Sequence, residues 1–272
     1  MGKGNVMAMR PVSIMVLAAL VPVAVVGETF SVAHWNIGHF AMGKSENSTV
    51  GPEVSAVRAA EYRAQIAKMD ADFIGVSEYD PVFDTAGNPT TNAVFASYAT
   101  CVAGQKSRYQ CNAVFARRRC VRSNVVPFDD RVQETYFVDA VFKIGEKEIH
   151  FVQTHLDWNM NEIATDARPR QIRQLVNQFK NEPYVIICGD FNVCGAGEYY
   201  PFLMAGYTLA NCGSAGCLDT YAGKDVRMPC RRFPLDNIVV KGFRISNVAL
   251  ADVELTLSDH RIIICELELP SR

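Results

Sequence analysis

The chain has 272 residues, 49% hydrophobic and 21% charged, with a formal net charge of −2. That is the balance of an ordinary globular protein with room for a proper core, in one large domain or two small ones. It argues against a dedicated non-specific nucleic-acid binder, which would carry a basic excess.

In the first ten residues only Lys3 and Arg10 are charged, and an uncharged apolar run from Pro11 to Gly27 follows. A short basic start, an apolar stretch and small residues at its end predict a secretory signal peptide over 1–27, cleaved after Gly27. The run, broken by Pro22, sits at the short end of the roughly 17–25 residues that a spanning helix needs. No cysteine follows the run to take a lipid. The expected location is therefore secreted or periplasmic. Cleavage removes two positive charges and no negative ones, leaving a mildly acidic domain over 28–272.

"TFSVAHWN" alternates and ends in polar residues, a strand entering a loop. "PEVSAVRAAEYRAQIAKMD" places Val54, Val57, Tyr62, Ile66 and Met69 at near-helical spacing behind Pro52. "ADFIGVSE" is a short strand ending in an acid. "NAVFAR", "TYFVDAVFKI" and "KEIHFVQTHL" are three more strands, the last two joined by a turn at "GEKE". "TDARPRQIRQLVNQFKN" is a second amphipathic helix, with Thr165 or Asp166 as its cap. "YVIICGDF", a loop-rich section, "LDNIVVKG", "FRISNVALAD" and "HRIIICELEL" complete the chain. Many strands with few helices between them predict an α+β fold of two sheets packed face to face, helices outside.

The chain has nine cysteines, which an oxidising compartment would allow to pair. Cys188 and Cys265 lie inside apolar runs and are expected as buried thiols. Cys101, Cys111, Cys120, Cys194, Cys212, Cys217 and Cys230 lie in loop-like sequence, and Cys212 with Cys217 could close a small loop. None has the close C-x2-C spacing of a structural zinc site.

The strand and loop ends "HWN", "SE", "THLD", "GDFN", "LDN" and "SDH" each present an acid, an amide or a histidine. Loops have no reason to choose only these types, so the ends are expected to converge on one rim. Asp190 and Asn192, two apart on an extended chain, face the same way, with Phe191 turned to the core. Gly189 leaves room for a close backbone approach.

In order, Asn36, Glu78, His155, Asp190 with Asn192, Asp236, and Asp259 with His260 resemble the endonuclease/exonuclease/phosphatase superfamily, whose members include DNase I-like nucleases. The resemblance spans about residues 30–268. It implies a four-layer α/β sandwich of two mainly antiparallel sheets flanked by helices. It further implies a Mg²⁺-dependent phosphoester hydrolase, with Mn²⁺ as a substitute, in which activated water attacks phosphorus directly. Glu78 would hold the metal with Asn36 and Asp259. His260 would be the general base, oriented by Asp236. Asp190 and Asn192 would position water and phosphate, and His155 would donate to the phosphate or the leaving oxygen. Arg168 and Arg170 are candidates to bind substrate, as is His39, while His34 and His150 are expected to be structural. "ARRRCVR" (Ala116–Arg122) is expected to form a solvated hairpin face.

Two departures bear on substrate. DNase I-like nucleases support their first catalytic histidine with a glutamate, yet the matching stretch Gly104–Arg117 holds no carboxylate. Asn237 stands where many members carry tyrosine or histidine. The expected partner is a phosphoester: a nucleic acid, a phospholipid headgroup or a small molecule, with a phosphodiester favoured. The alternatives are an extracellular DNase I-like nuclease and a non-catalytic binding protein on a hydrolase scaffold. Retention of both Glu78 and His260 disfavours the latter. Nothing in the sequence demands more than a monomer.

Overall fold

A parallel strand pair needs a long crossover, whereas an antiparallel pair needs only a turn. In the computed structural model, two helices among the described residues are long enough to serve. Helix α1 (Ala56–Met69) carries the chain from β1 (Glu28–Asn36) to β2 (Phe73–Ser77). Helix α2 (Glu162–Gln178) carries it from β7 (Lys147–His155) to β8 (Val185–Asp190). These are the two parallel pairs, and every other pairing among the described strands is antiparallel. The structure describes residues 27–40, 56–79, 94–104, 111–129, 135–158, 162–193, 196–213, 216–222 and 234–271. Residues 1–26 of the expected leader, Cys194 and Cys230 lie outside them.

One sheet adds β3 (Thr100–Ala103), β4 (Ala113–Ala116), β11 (Arg244–Ala251) and β12 (Ile262–Leu269), in the order β11-β12-β1-β2-β4-β3. The other adds β5 (Arg122–Pro127), β6 (Tyr136–Ile144), β9 (Thr208–Leu209) and β10 (Asp236–Lys241), in the order β5-β6-β7-β8-β10-β9. The sheets meet face to face over a core that includes Phe30, Phe73, Phe142, Phe151, Cys188 and Cys265. Phe73 stacks on Phe151 with centroids 5.5 Å apart and meets the edge of Phe142 at 5.0 Å.

The outer faces carry the helices. Tyr62, Ile66 and Met69 of α1 share a cluster with Trp35, Ile74 and Val76. Ile172 and Leu175 of α2, with Phe179 just past its end, do the same with Phe137, Val152 and Ile187. Central strands buried on both faces explain why "VIIC" and "FIGV" are continuous apolar runs without alternation. The result is the four-layer sandwich expected from the sequence.

Several details differ from the sequence expectation. Strands β3, β5 and β9 and a short helix α3 (Tyr200–Met204) occupy stretches that carried no element assignment. Helix α2 starts at Glu162, so Thr165 and Asp166 lie inside its first turns rather than capping it. Glutamate and alanine there favour helix, while Pro169, the eighth helical residue, gives up an interior backbone bond at a cost to the helix. The arginine run is a solvated face but not a hairpin, since it crosses from β4 of one sheet to β5 of the other. Arg117 pairs with Asp70, Arg118 with Glu28, and Arg122 with Glu148 at 2.7 Å. Cys188 and Cys265 are buried thiols, and Cys212–Cys217 is a disulfide. Among the described residues no helix is long and apolar enough to cross a membrane.

Candidate active site at the shared rim

The strand directions dictate where polar ends gather. Parallel β1 and β2 both end at one rim, delivering Asn36 and, just past β2, Glu78. Parallel β7 and β8 end at the same rim with His155 opposite Asp190. Antiparallel β10 begins there, so Asp236 pairs with Asp190. Antiparallel β12 also begins there, which places His260 just ahead of it.

Hydrogen bonds tie these ends across the two sheets. Asn36 Nδ2 donates to Glu78 Oε1 at 3.1 Å and to Asp190 Oδ2 at 3.0 Å. The Nε2 atoms of His155 and His260 lie 3.6 Å and 3.7 Å from that same Asp190 oxygen. His260 Nδ1 is bonded to Asp236 Oδ2 at 2.7 Å, the arrangement that fixes an imidazole for proton transfer through its other nitrogen.

Behind them lies a buried polar chain. His34, wholly buried, bonds Asp236 Oδ1 through Nε2 at 3.0 Å and Gln153 Oε1 through Nδ1 at 3.2 Å. Gln153 Nε2 donates to Ser77 Oγ and to the Thr154 carbonyl, both at 2.9 Å. A side chain on Gly75 would put a Cβ 2.0 Å from Gln153 Oε1, so the glycine makes room for this link. At Gly189 a Cβ would lie 2.5 Å from the Thr154 carbonyl, so its close approach serves β7. Glu78 and Asn192 hold φ of 53° and 52°, and His39 holds 54°. Such left-handed non-glycine residues are strained and cluster at functional sites.

The charges are crowded. Burial works against ionised Asp236, yet His260 and His34 hold its carboxyl well below the usual range. Burial likewise opposes the charged form of His260, but Asp236, Asp190 and Asp259 raise it to about 10. Asp190 is raised by burial and then by Asp236. Burial pushes Glu78 up, and His39, His155 and Asn36 more than offset it. Asp259 is raised by burial and by the charges of Glu78 and Asp190, against the pull of His260.

The other expected residues fall as follows. Asn192 is buried; its Nδ2 donates to the Leu156 carbonyl and its N–H to Asp190 Oδ1, which fixes the loop beyond β8. His39 Nε2 sits 3.5 Å from Glu78 Oε2. Arg168 is buried, with Nε on Glu198 at 3.0 Å and Nη1 on the Asp157 carbonyl at 3.2 Å. Arg170 is exposed and lines a groove with Val126, Pro127 and Asp129, because residues two apart on a helix point about 200° apart. Two supporting residues went unrecognised in the sequence. Gln153 carried no signal, whereas His34 shares a strand face with Asn36, and that alternation could have exposed it.

The donor set suits a hard divalent cation. Glu78 and Asp259 are the carboxylates expected to hold one, and Asp259 feels the charge of Glu78. Asn36 turns its Nδ2 to Glu78, while its Oδ1 accepts the Gly38 N–H. Asp190, Asp236 and His260 also present ligand atoms within 4.8 Å of one another, so that group could bind a metal on spacing alone. Both Asp236 oxygens and His260 Nδ1 are engaged in hydrogen bonds, as are Glu78 Oε1 and Asn36 Oδ1 on the other side.

The sandwich and its carboxylate–histidine rim define a metal-dependent phosphoric ester hydrolase. The sequence pattern of the Endonuclease/Exonuclease/phosphatase family matches residues 33–260, and the chain belongs to that family. No curated protein sequence matches it significantly. In fold it is similar to an endonuclease/exonuclease/phosphatase from Bacteroides vulgatus, with 20% identity over 89% of this chain and 99% of that one and a TM-score of 0.68. It is likewise similar to D. rerio TDP2 complexed with a single-strand DNA product, at 18% identity over 88% and 99% and a TM-score of 0.67. The human Nocturnin catalytic domain with bound sulfate gives 17% over 88% and 94%, with a TM-score of 0.63.

Proposed function

We propose that the chain is an exported, Mg²⁺-dependent phosphodiesterase that uses direct attack of water on phosphorus. The observation that carries this reading is the placement of two imidazole Nε2 atoms about one buried carboxylate oxygen, with Asp236 behind one imidazole. The surrounding carboxylates alone keep His260 protonated near neutral pH, and a divalent cation held by Glu78, Asn36 and Asp259 would oppose that shift. Neutral His260 Nε2 then takes the proton of the attacking water, and Asp236 steadies the imidazolium that forms. As the new O–P bond forms and the ester O–P bond breaks, His155 gives a proton to the leaving oxygen. Asp190 and the loop fixed by Asn192 orient the water. Glu78, Asn36 and Asp259 would hold Mg²⁺, which would supply Lewis acidity toward a phosphoryl oxygen.

We place the substrate among small or lipid-linked phosphodiesters rather than duplex DNA. His155 Nδ1 is buried without a hydrogen-bond partner among the described residues, which accords with the absence of a carboxylate from Gly104–Arg117. Export belongs to the same reading and is supported by the leader-like start and by a disulfide, which persists in oxidising compartments.

The test compares a nitrophenyl phosphodiester with the monoester, in Mg²⁺ and in chelator, with His260→Ala as control. Metal-dependent diester cleavage lost in the variant is expected. A monoester preference would make it a phosphatase instead, and steep loss of DNA cleavage with salt would mark a nuclease. N-terminal sequencing of the exported protein checks the leader, with Glu28 expected as the first residue.

A further inference from the structure

The Asp236–His260 pair spans the sandwich. Asp236 opens β10 of one sheet, while His260 precedes β12 of the other, so nothing within either sheet fixes their separation. A segment from Leu218 to Ala222 runs between them. Thr220, wholly buried, accepts the backbone N–H of Asp236 on its Oγ1 at 3.0 Å. Its carbonyl accepts the N–H of Arg261, the residue after His260, at 2.6 Å. One residue thus holds the backbones beside both members of the pair.

Neighbouring contacts extend the grip. Tyr221 forms a β-bridge with His260, and their rings meet edge-on with centroids 5.1 Å apart. Ala222 N–H donates to the Asp259 carbonyl at 2.7 Å. At the other end Asn211 Nδ2 donates to the carbonyls of Leu218 and Asp236, both at 3.0 Å. The Cys212–Cys217 disulfide closes the chain between Asn211 and Leu218.

We propose that Thr220 is the positioning residue of the Asp236–His260 pair and that the disulfide-closed strap carrying it sets the pair's geometry. The inference rests on the reading of that pair as the general-base unit. Small misplacements of catalytic groups are costly in rate, about a hundred-fold for roughly 1 Å.

The experiment measures diester hydrolysis by Thr220→Val, which keeps the shape and removes Oγ1, and by Thr220→Ser, which restores it. Expected for Thr220→Val is a kcat about ten- to a hundred-fold lower with KM within about twofold. Thr220→Ser should recover most of that loss. The double variant Cys212→Ala/Cys217→Ala, which leaves Thr220 intact, should lower kcat in the same direction. In the proton NMR spectrum the downfield His260 Nδ1–H signal should shift or broaden in both variants. Unchanged kcat and an unchanged signal in Thr220→Val, with His260→Ala inactive, would overturn the positioning role alone. Full activity in His260→Ala would instead overturn the base assignment beneath it. If Thr220→Val does not fold, the double cysteine variant decides, and wild-type kcat in it overturns the proposal.

Discussion

His34 Nε2 lies 3.0 Å from Asp236 Oδ1, on the carboxylate oxygen that His260 leaves unused. Asp236 is therefore held on both sides, and Gln153 holds His34 in turn. His34→Leu would remove the ring that meets both Asp236 Oδ1 and Gln153 Oε1 in a buried site, at a cost of about 1–3 kcal/mol for an acceptor left unmatched. We expect lower stability in urea unfolding and a kcat about tenfold lower, because the carboxylate is freer to turn. Wild-type values in both measurements would show that the chain behind Asp236 is dispensable.

Glu78 is the carboxylate that the proposed metal needs most. A ligand that binds only the folded state raises stability by about 2.7 kcal/mol at a hundred times its dissociation constant. Mg²⁺ should accordingly raise the melting temperature of the wild type and do so much less for Glu78→Gln. An equal rise in the variant would move the ion elsewhere, and the group of Asp190, Asp236 and His260 would be the next place to look.

Legibility in the sequence followed burial. Central strands such as β2 and β8 were plain because both faces are buried and the run ends abruptly in Glu78 or Asp190. Edge strand β5 is exposed along nearly its whole length, so Arg122, Ser123 and Asn124 carry no strand pattern. Strand β9 has only two residues, too few for any period to show. The site's acids and His260 were legible because they end strands at one rim. His34 looked like a core histidine, since its link to Asp236 crosses between sheets and spans 202 positions in sequence. Thr220 was invisible because its bonds to Asp236 and Arg261 are to backbone groups, which no residue pattern encodes.

His150 gives a pH signature remote from the rim. Burial opposes its charge, and Arg122 adds to that opposition. The bond from Nδ1 to Asp139 at 3.0 Å and the charge of Glu182, 3.4 Å from Nε2, raise it above its ordinary 6.5 all the same. The folded state then binds more protons than the unfolded one between 6.5 and the raised value, so stability falls as pH rises through that window. Below 6.5 the contribution is complete. Wild type minus His150→Gln, followed by urea unfolding across pH, should shrink as pH rises through this window. A difference independent of pH would mean that the ring contributes only packing, such as its contact with Phe179 at 5.2 Å.

Arg168 and Arg170 should behave oppositely, because α2 turns one inward and one outward. Arg168 joins Glu198 to the carbonyl of Asp157, two residues beyond His155, so it braces the loop that carries the rim. Truncating a buried partner in such a network leaves polar groups unmatched, and Arg168→Ala should destabilise by about 2–4 kcal/mol. Arg168→Lys should recover little, since an ammonium cannot span two acceptors as the fork does. Arg170→Ala, on the exposed face, should stay within about 0.5 kcal/mol of wild type. Kinetics separate the two roles further. If Arg170 reaches substrate after all, its removal raises KM while stability is untouched, and the groove beside Asp129 then belongs to the binding surface.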